Sequence, residues 1–368
     1  MSASGPVSQL RIAVLGVGLI GGSVALAARE RLDAEVIGWD PVATAVDIGL
    51  ERGALHRAAA SVADAVAGAD AVFCAAPVAR LQELVAEALQ AAGSDCVVTD
   101  VGSTKRAVAA AFADPRFVGG HPLAGAETAG VAHARADLFD AAIWYLTPRE
   151  STSGVLYERL HRLLRGIGAQ PAAIDADTHD RVLAAVSHLP HVLANVLVAQ
   201  AAATLHADGE RRVGGDDVAP SFRDATRVAG APSAIWTDIY LANRDALLRE
   251  IDGTLTRLQD VRGALQAGDA DAITAWNDAA AEDRRTLLEA HLAGEQVFQL
   301  RASVPNQPGV VARIALELGR AGVNIADMAL SPAPDMSEGV IALWIAGGEA
   351  AGRAASLIAA LGFAVARP

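Results

Sequence analysis

Hydrophobic and polar positions change their spacing twice along this 368-residue chain. From residue 10 to about 175, short apolar runs alternate with stretches in which apolar residues recur every three or four positions, the pattern of buried strands between amphipathic helices. Runs at 12–15, 35–39, 71–75, 97–101, 117–119, 143–147 and 171–175 predict strands. Their alternation with helices predicts an α/β, Rossmann-like doubly wound sheet. Beyond residue 177 the strand signal fades, and patterns at 178–206, 218–229, 233–267 and 269–293 predict an all-α helical region. Long apolar helix faces need a covering surface, so this region is expected to form a homodimer. From 296 to 368 the order is strand, helix, strand, strand, helix, strand, that of a small α+β ferredoxin-like unit. The expected domains are 1–175, 176–294 and 295–368, with Gly294 and Glu295 at the last boundary.

Composition narrows the class of partner. Hydrophobic residues make up 52% of the chain and aromatics 4%, which suits small-residue helix packing. A net charge of -13 repels nucleic acid and anionic membranes, leaving small anions bound by local arginines. The opening MSASGPVSQLR has no apolar core, and no run of 18 uncharged apolar residues follows, so a cytoplasmic protein is expected. Cys74 and Cys96 end apolar runs and read as buried, reduced thiols without a redox role.

The first strand enters Gly16, Gly18 and Gly21 in RIAVLGVGLIGGSVA, with a helix pattern behind. In that order the glycines permit a tight turn, a close approach to a pyrophosphate, and close packing of helix on strand. The phosphates would rest on unpaired amides around Leu19 and Ile20, where the helix dipole adds about half a positive charge. The second strand ends in Asp40, about 20 residues on, where a ribose hydroxyl needs an acceptor. No arginine is expected to come near Asp40, so NAD is expected rather than NADP. The plainer reading is a glycine-rich turn with no ligand.

Three further motifs carry polar groups into apolar surroundings. DVGSTK (100–105) and GGHPLAGAE (119–127) both leave carboxyl ends of predicted strands, where open α/β sheets bind ligands. Ser103 and His121 are thereby placed near a nicotinamide. A neutral imidazole, with an ordinary pKa of about 6.5, can take the proton of an alcohol being oxidised; the alternative is a loop histidine bonded to backbone. SHLPH (187–191) interrupts an apolar helical stretch with a proline, which costs about 3 kcal/mol inside a helix. Either a kink aims Ser187, His188 and His191 at a ligand, or Pro190 starts a new helix capped by Ser187 or His188. No further ligand spacing nearby indicates a metal. In SFRDATR, Arg223 and Arg227 share a helix face, with Trp236 nine residues on. They form a solvated face or, beside the histidine motifs, an anion site between domains.

As an ordered set over most of residues 10–293, these motifs resemble the prephenate dehydrogenase family of tyrosine biosynthesis. The resemblance implies a Rossmann domain, a helical dimerisation domain, and NAD-dependent oxidative decarboxylation of prephenate to 4-hydroxyphenylpyruvate. It makes His121 the partner of the ring hydroxyl, Ser103 its orienting neighbour and Arg227 the holder of the ring carboxylate. Glu127 resembles an acidic gate, while Ser187, His188 and His191 shape the pocket for the substrate side chain, with Arg223 and Trp236 beside it. Arg223 stands where relatives often carry lysine, and Ala126 where many carry a hydroxyl. The C-terminal segments VPNQPGVVARI and AGVNIADM resemble an ACT regulatory domain. Asn306, Gln307, Gly309 and Asn324 would line its amino-acid site, with tyrosine as the feedback ligand. Competing readings are an arogenate dehydrogenase, a homoserine or phosphoglycerate dehydrogenase, and a non-catalytic NAD and amino-acid sensor.

Overall fold

In a computed structural model of the chain, the described residues are 9–125, 128–207, 219–289 and 296–366, the last stretch interrupted at 306–309, 311–312, 315–316, 319–320, 324 and 334–337. Two compact units are present, residues 1–255 and 256–368.

The first unit is organised by an eight-stranded sheet. Strands β1 (Arg11–Leu15), β2 (Glu35–Trp39), β3 (Arg57–Ala58), β4 (Ala71–Cys74), β5 (Val97–Asp100), β6 (Phe117–Pro122), β7 (Ile143–Thr147) and β8 (Gln170–Ala173) lie in the order β3-β2-β1-β4-β5-β6-β7-β8. Between them run α1 (Leu19–Leu32), α2 (Ala43–Glu51), α3 (Val62–Val66), α4 (Val78–Ala91), α5 (Arg106–Ala111) and α6 (Gly154–Gly166). Successive β1 residues face opposite cores, Ile12 and Val14 on one side, Ala13 and Leu15 on the other. A strand covered on both faces must be apolar throughout, which is why β1 reads as an unbroken run. Strand order reverses at β1, whose neighbours are β2 and β4, and a crevice opens there beyond the carboxyl ends. β7 pairs antiparallel with β6, and β8 parallel with β7, so the last two strands run against the rest. Apolar periodicity carries no strand direction, so the sequence pattern did not contain this reversal.

Helices α7 (Ala176–Leu183), α8 (Leu189–Ala207), α9 (Pro220–Thr226), α10 (Ser233–Ala242), α11 (Arg244–Ala267) and α12 (Ala270–Glu289) follow, the division between units falling within α11. Asp175 caps α7, its carboxylate accepting the Thr178 N–H at 2.8 Å. Between α7 and α8 the residues Ala184–His188 form a π-helical turn. Pro190 thus sits in the first turn of α8, and neither Ser187 nor His188 caps a helix there. The single helix expected over 233–267 is broken at Asn243, whose carboxamide is drawn inward to the Asp180 carbonyl and to His188. By length and composition alone the run Ala176–Leu205 is apolar enough to cross a membrane, although Ser187, His188, His191, Asn195 and Gln200 interrupt it. His188, His191 and Asn195 hydrogen-bond inside the protein, while Val196, Leu197, Val198 and Leu205 stand exposed. Cys74 and Cys96 are buried in the sheet core, and burial pushes the Cys96 thiol up to about 12.

In the second unit β9 (Val297–Pro305), β10 (Ile325–Pro332), β11 (Glu338–Ala346) and β12 (Ala364–Ala366) form an antiparallel sheet in the order β10-β11-β9-β12. Described residues between β9 and β10 are helical at 310, 313–314 and 317–318, and α13 (Gly348–Ala360) joins β11 to β12. Alternation along β9 sends Leu300, Ala302 and Val304 inward, against Ile341, Leu343 and Ile345 of β11 and Ala351, Ala354 and Ile358 of α13. The expected strand and helix order is therefore observed in the described residues. Gly294, Glu295, Asn306, Gln307, Gly309 and Asn324 lie outside them.

Candidate active site

Among the cavities of the first unit, two hold residues of the motifs. One, of about 360 Å³, is lined by Gly16, Trp39, Asp40, Pro77, Arg80 and Glu83, among others. Gly16 holds φ +100°, and a Cβ there would run into the Ala75 carbonyl. A Cβ on Gly18 would meet nothing within 4 Å, so open space lies above the start of α1. That helix begins without a side-chain cap and without an acidic residue in its first turn. Its free amides, including those at Leu19 and Ile20, therefore suit a pyrophosphate, and Gly21 keeps the helix close to the loop. Asp40 ties this loop to β2, accepting N–H groups from Val17 at 2.7 Å and Val42 at 2.8 Å. A carboxylate has about four lone-pair positions, so capacity remains for a ribose hydroxyl. The sequence reading that no arginine approaches Asp40 is corrected: Arg80 of α4 lines the same cavity, paired with Glu83 at 2.9 Å.

The second cavity, of about 430 Å³, gathers Ser103, His121, Ser187, His188 and Trp236 with the apolar walls Leu183, Val186 and Ile239. Ser103 follows β5, His121 ends β6, and the π-helical turn offers Ser187 and His188 side by side. His191 stands behind this wall. Its ring stacks on Trp236 with centroids 3.6 Å apart, and it contacts the Tyr240 hydroxyl and, at 3.2 Å, Asn195. Trp236 is thus held from α8.

Behind His121 lies a buried polar network that the sequence reading did not single out. His121 Nδ1 is 2.9 Å from His179 Nε2, and His179 Nδ1 is 2.8 Å from Asp180 Oδ1. The Asp180 carboxylate also accepts the backbone N–H groups of Lys105 at 2.7 Å and Arg106 at 2.9 Å. Beneath it the buried Lys105 ammonium pairs with Asp100, which accepts N–H groups of Gly102 and Gly120 at 2.9 and 3.1 Å. On α7, His179 and Asp180 occupy the inward stripe that leads to Leu183. Polar residues at core positions of a short amphipathic helix were the available sequence signal.

Charge in this region follows burial. Desolvation, then the neighbouring His179, Lys105 and His188, hold His121 well below the ordinary histidine range. His188 is pulled down to about 4, again chiefly by burial. Both rings are therefore neutral at neutral pH. Burial opposes ionisation of Asp180, yet the hydrogen bonds from His179, Lys105 and Arg106 prevail and hold it below the usual carboxylate range. Burial likewise lowers the Lys105 ammonium against the pull of Asp100.

Arg223 of α9 and Arg227, which opens a 3-10 turn, are exposed and do not line the second cavity. Glu127 lies outside the described residues. A neutral imidazole on the wall of a cavity, beside a hydroxyl and at the carboxyl ends of β5 and β6, can accept a proton from a bound alcohol.

Comparison with known proteins identifies the family. The model "Prephenate dehydrogenase, nucleotide-binding domain" matches residues 24–172, and "Prephenate dehydrogenase, dimerization domain" matches residues 175–278. A prephenate dehydrogenase of Bacillus subtilis (strain 168) is 32% identical over 349 residues, covering 91% of this chain and 92% of that one. A cyclohexadienyl dehydrogenase of Zymomonas mobilis is 33% identical over 269 residues, 71% of this chain and 90% of its own. Among solved structures, prephenate dehydrogenase from Aquifex aeolicus, in complex with hydroxyphenyl propionate and NAD+, shares the fold with a TM-score of 0.68 at 24% identity, over 77% of this chain and all of that one. Matched by both models in succession and by a relative of nearly its own length, the chain belongs to the prephenate dehydrogenase family.

Proposed function

We propose that the cavity around His121 is the site at which this chain oxidises and decarboxylates prephenate to 4-hydroxyphenylpyruvate with NAD. The observation that carries the assignment is His121 itself, buried, neutral and on the cavity wall beside Ser103. Bound NAD would rest on Gly16, Gly18, Leu19, Ile20, Gly21 and Asp40 and accept a hydride from the carbinol carbon of the ring. His121 accepts or shares the proton of the ring hydroxyl as the carbon–oxygen double bond forms, and Ser103 orients it. The electron pair of the breaking carbon–carboxylate bond enters the ring, so carbon dioxide leaves and the ring becomes aromatic. Arg227 is assigned to the ring carboxylate because its turn leads directly into α10, which supplies Trp236 and Ile239 to the cavity. Ser187 and His188 face the pyruvyl side chain, and Arg223 and Glu127 belong at the rim. The protein contributes orientation and charge balance, while aromatisation supplies the driving force.

The same reading places domain boundaries near 175 and 294, with a homodimer formed through the helices of the second domain. The match to a dimerization domain and the exposed apolar residues of α8 support that assembly. The antiparallel strand–helix unit at the C-terminus is assigned as an ACT domain taking tyrosine, and the enzyme as cytoplasmic. Arogenate, with an amino group on the side chain, is the competing substrate, favoured by the cyclohexadienyl dehydrogenase relative. Purified protein mixed with NAD or NADP and with either acid, followed by absorbance of the reduced cofactor, separates these readings. Reduction with prephenate and NAD is expected. Reduction only with arogenate would change the substrate, and reduction with no pair would overturn the assignment.

A further inference from the structure

The hydrogen-bond chain from Asp180 through His179 to His121 has a direction, set at its buried end. Asp180 is a carboxylate, and its oxygens already accept the amides of Lys105 and Arg106. An ionised carboxylate has no proton to give, so His179 Nδ1, 2.8 Å from Oδ1, is the donor. A neutral imidazole carries a single N–H, so His179 Nε2 holds a lone pair. His121 Nδ1, 2.9 Å from that lone pair, must donate to it. His121 then has its own lone pair on Nε2, the ring nitrogen left for the cavity that His121 lines.

We infer that His179 and Asp180 are positioning residues that lock His121 in the Nδ1–H tautomer, so that its Nε2 is the atom that receives the substrate hydroxyl proton. The inference rests on the proposed role of His121 and adds to it which nitrogen works and what selects it. Without this chain the two neutral tautomers compete, and one of them presents an N–H where a base is needed.

The decisive measurement is a long-range nitrogen–proton NMR spectrum of the whole protein labelled with ¹⁵N-histidine at pH 8, with His121 assigned by the signals that vanish in His121→Asn. A protonated Nδ1 and an unprotonated Nε2 on His121 are expected; an Nε2–H tautomer would overturn the inference. In Asp180→Asn the tautomer should invert, with kcat lowered about 100-fold or more while KM for NAD moves less than about threefold. Should that variant fail to fold, because Asp180 also holds the Lys105 and Arg106 amides, the His179 pair decides the kinetic part. His179→Ala should lose about 100-fold in kcat, and His179→Gln, whose carbonyl can accept from His121 Nδ1, should recover about tenfold of it. Equal rates for Ala and Gln would count against positioning. The spectrum is recorded without substrate. Inactivity of the wild-type protein on prephenate and arogenate would overturn the reaction while the spectrum still decided the tautomer.

Discussion

The cavity at Gly16 and the cavity at His121 are built from different parts of the polypeptide. The cavity at Gly16 comes from one stretch of the chain: the glycine turn after β1, the ends of β2 and β4, and α4, all before residue 90. The cavity at His121 draws on segments as distant as Ser103, His121, His188 and Trp236 and is backed by a buried polar network. A glycine turn does not tolerate an added Cβ in the wrong place. A side-chain site tolerates no loss of a single functional atom, although the fold can survive it. The largest effect should therefore come from His121→Asn, with kcat reduced about 10²- to 10⁴-fold. Calorimetric NAD affinity should stay within about twofold, and a parallel fall in affinity would erase the distinction between the two sites.

Next in size are two glycine variants that separate fold from ligand at the nucleotide site. Gly16→Ala forces φ +100° on a residue with a Cβ and drives that Cβ into the Ala75 carbonyl, so a loss of about 3 kcal/mol in unfolding free energy is expected. Gly18→Ala places its methyl in open space. It should leave stability within about 0.5 kcal/mol and weaken NAD about tenfold, because the methyl occupies the approach to the helix amides. Equal destabilisation by both substitutions would show that the loop serves the fold alone.

What could be read in the sequence divides along the same line. The run into Gly16, the acceptor at Asp40 and the alternating α/β pattern are local features, and local periodicity reports them. That Arg80 lines the cavity of Asp40 is not local, because α4 reaches that cavity only through the sheet order β2-β1-β4. Ser103, His121, Ser187, His188 and Trp236 could be named one by one, but their convergence is a tertiary fact. His179 and Asp180 were passed over since two adjacent polar residues on a helix look solvated until the facing strand is known. Asn243 was hidden for a related reason: the apolar period continues across it, and its break comes from a carboxamide satisfying Asp180 and His188.

A smaller effect is expected at Arg227, whose assignment is the least constrained by geometry. Replacing a guanidinium that pairs with a carboxylate costs about 2 kcal/mol, so Arg227→Ala should raise KM for prephenate some tens-fold, roughly, at saturating NAD. The KM for NAD should not follow. If KM for prephenate is unchanged, the ring carboxylate is held elsewhere.

The smallest predicted effect concerns stability and pH in the substrate cavity. His188 is neutral in the fold, with its pKa lowered by burial from 6.5 to about 4, and Asn243 donates to its Nδ1 at 3.1 Å. For a group whose folded pKa is depressed, the stability it permits is complete above the unfolded pKa and is lost as pH falls toward the folded one. The window here runs from about pH 6.5 down to about pH 4. At pH 5.5 the unfolded chain has taken up the proton and the folded chain has not, a difference of about 1.4 kcal/mol. His188→Asn keeps an acceptor for Asn243 and removes the titration. Wild type should therefore lose about 1.4 kcal/mol more than the variant between pH 7.5 and pH 5.5 in urea unfolding. His121 and His191, also depressed, titrate in both proteins and cancel in the difference. Parallel pH profiles would mean that His188 meets solvent in the fold, and the substrate cavity would then lack the dry wall on which the neutrality of His121 depends.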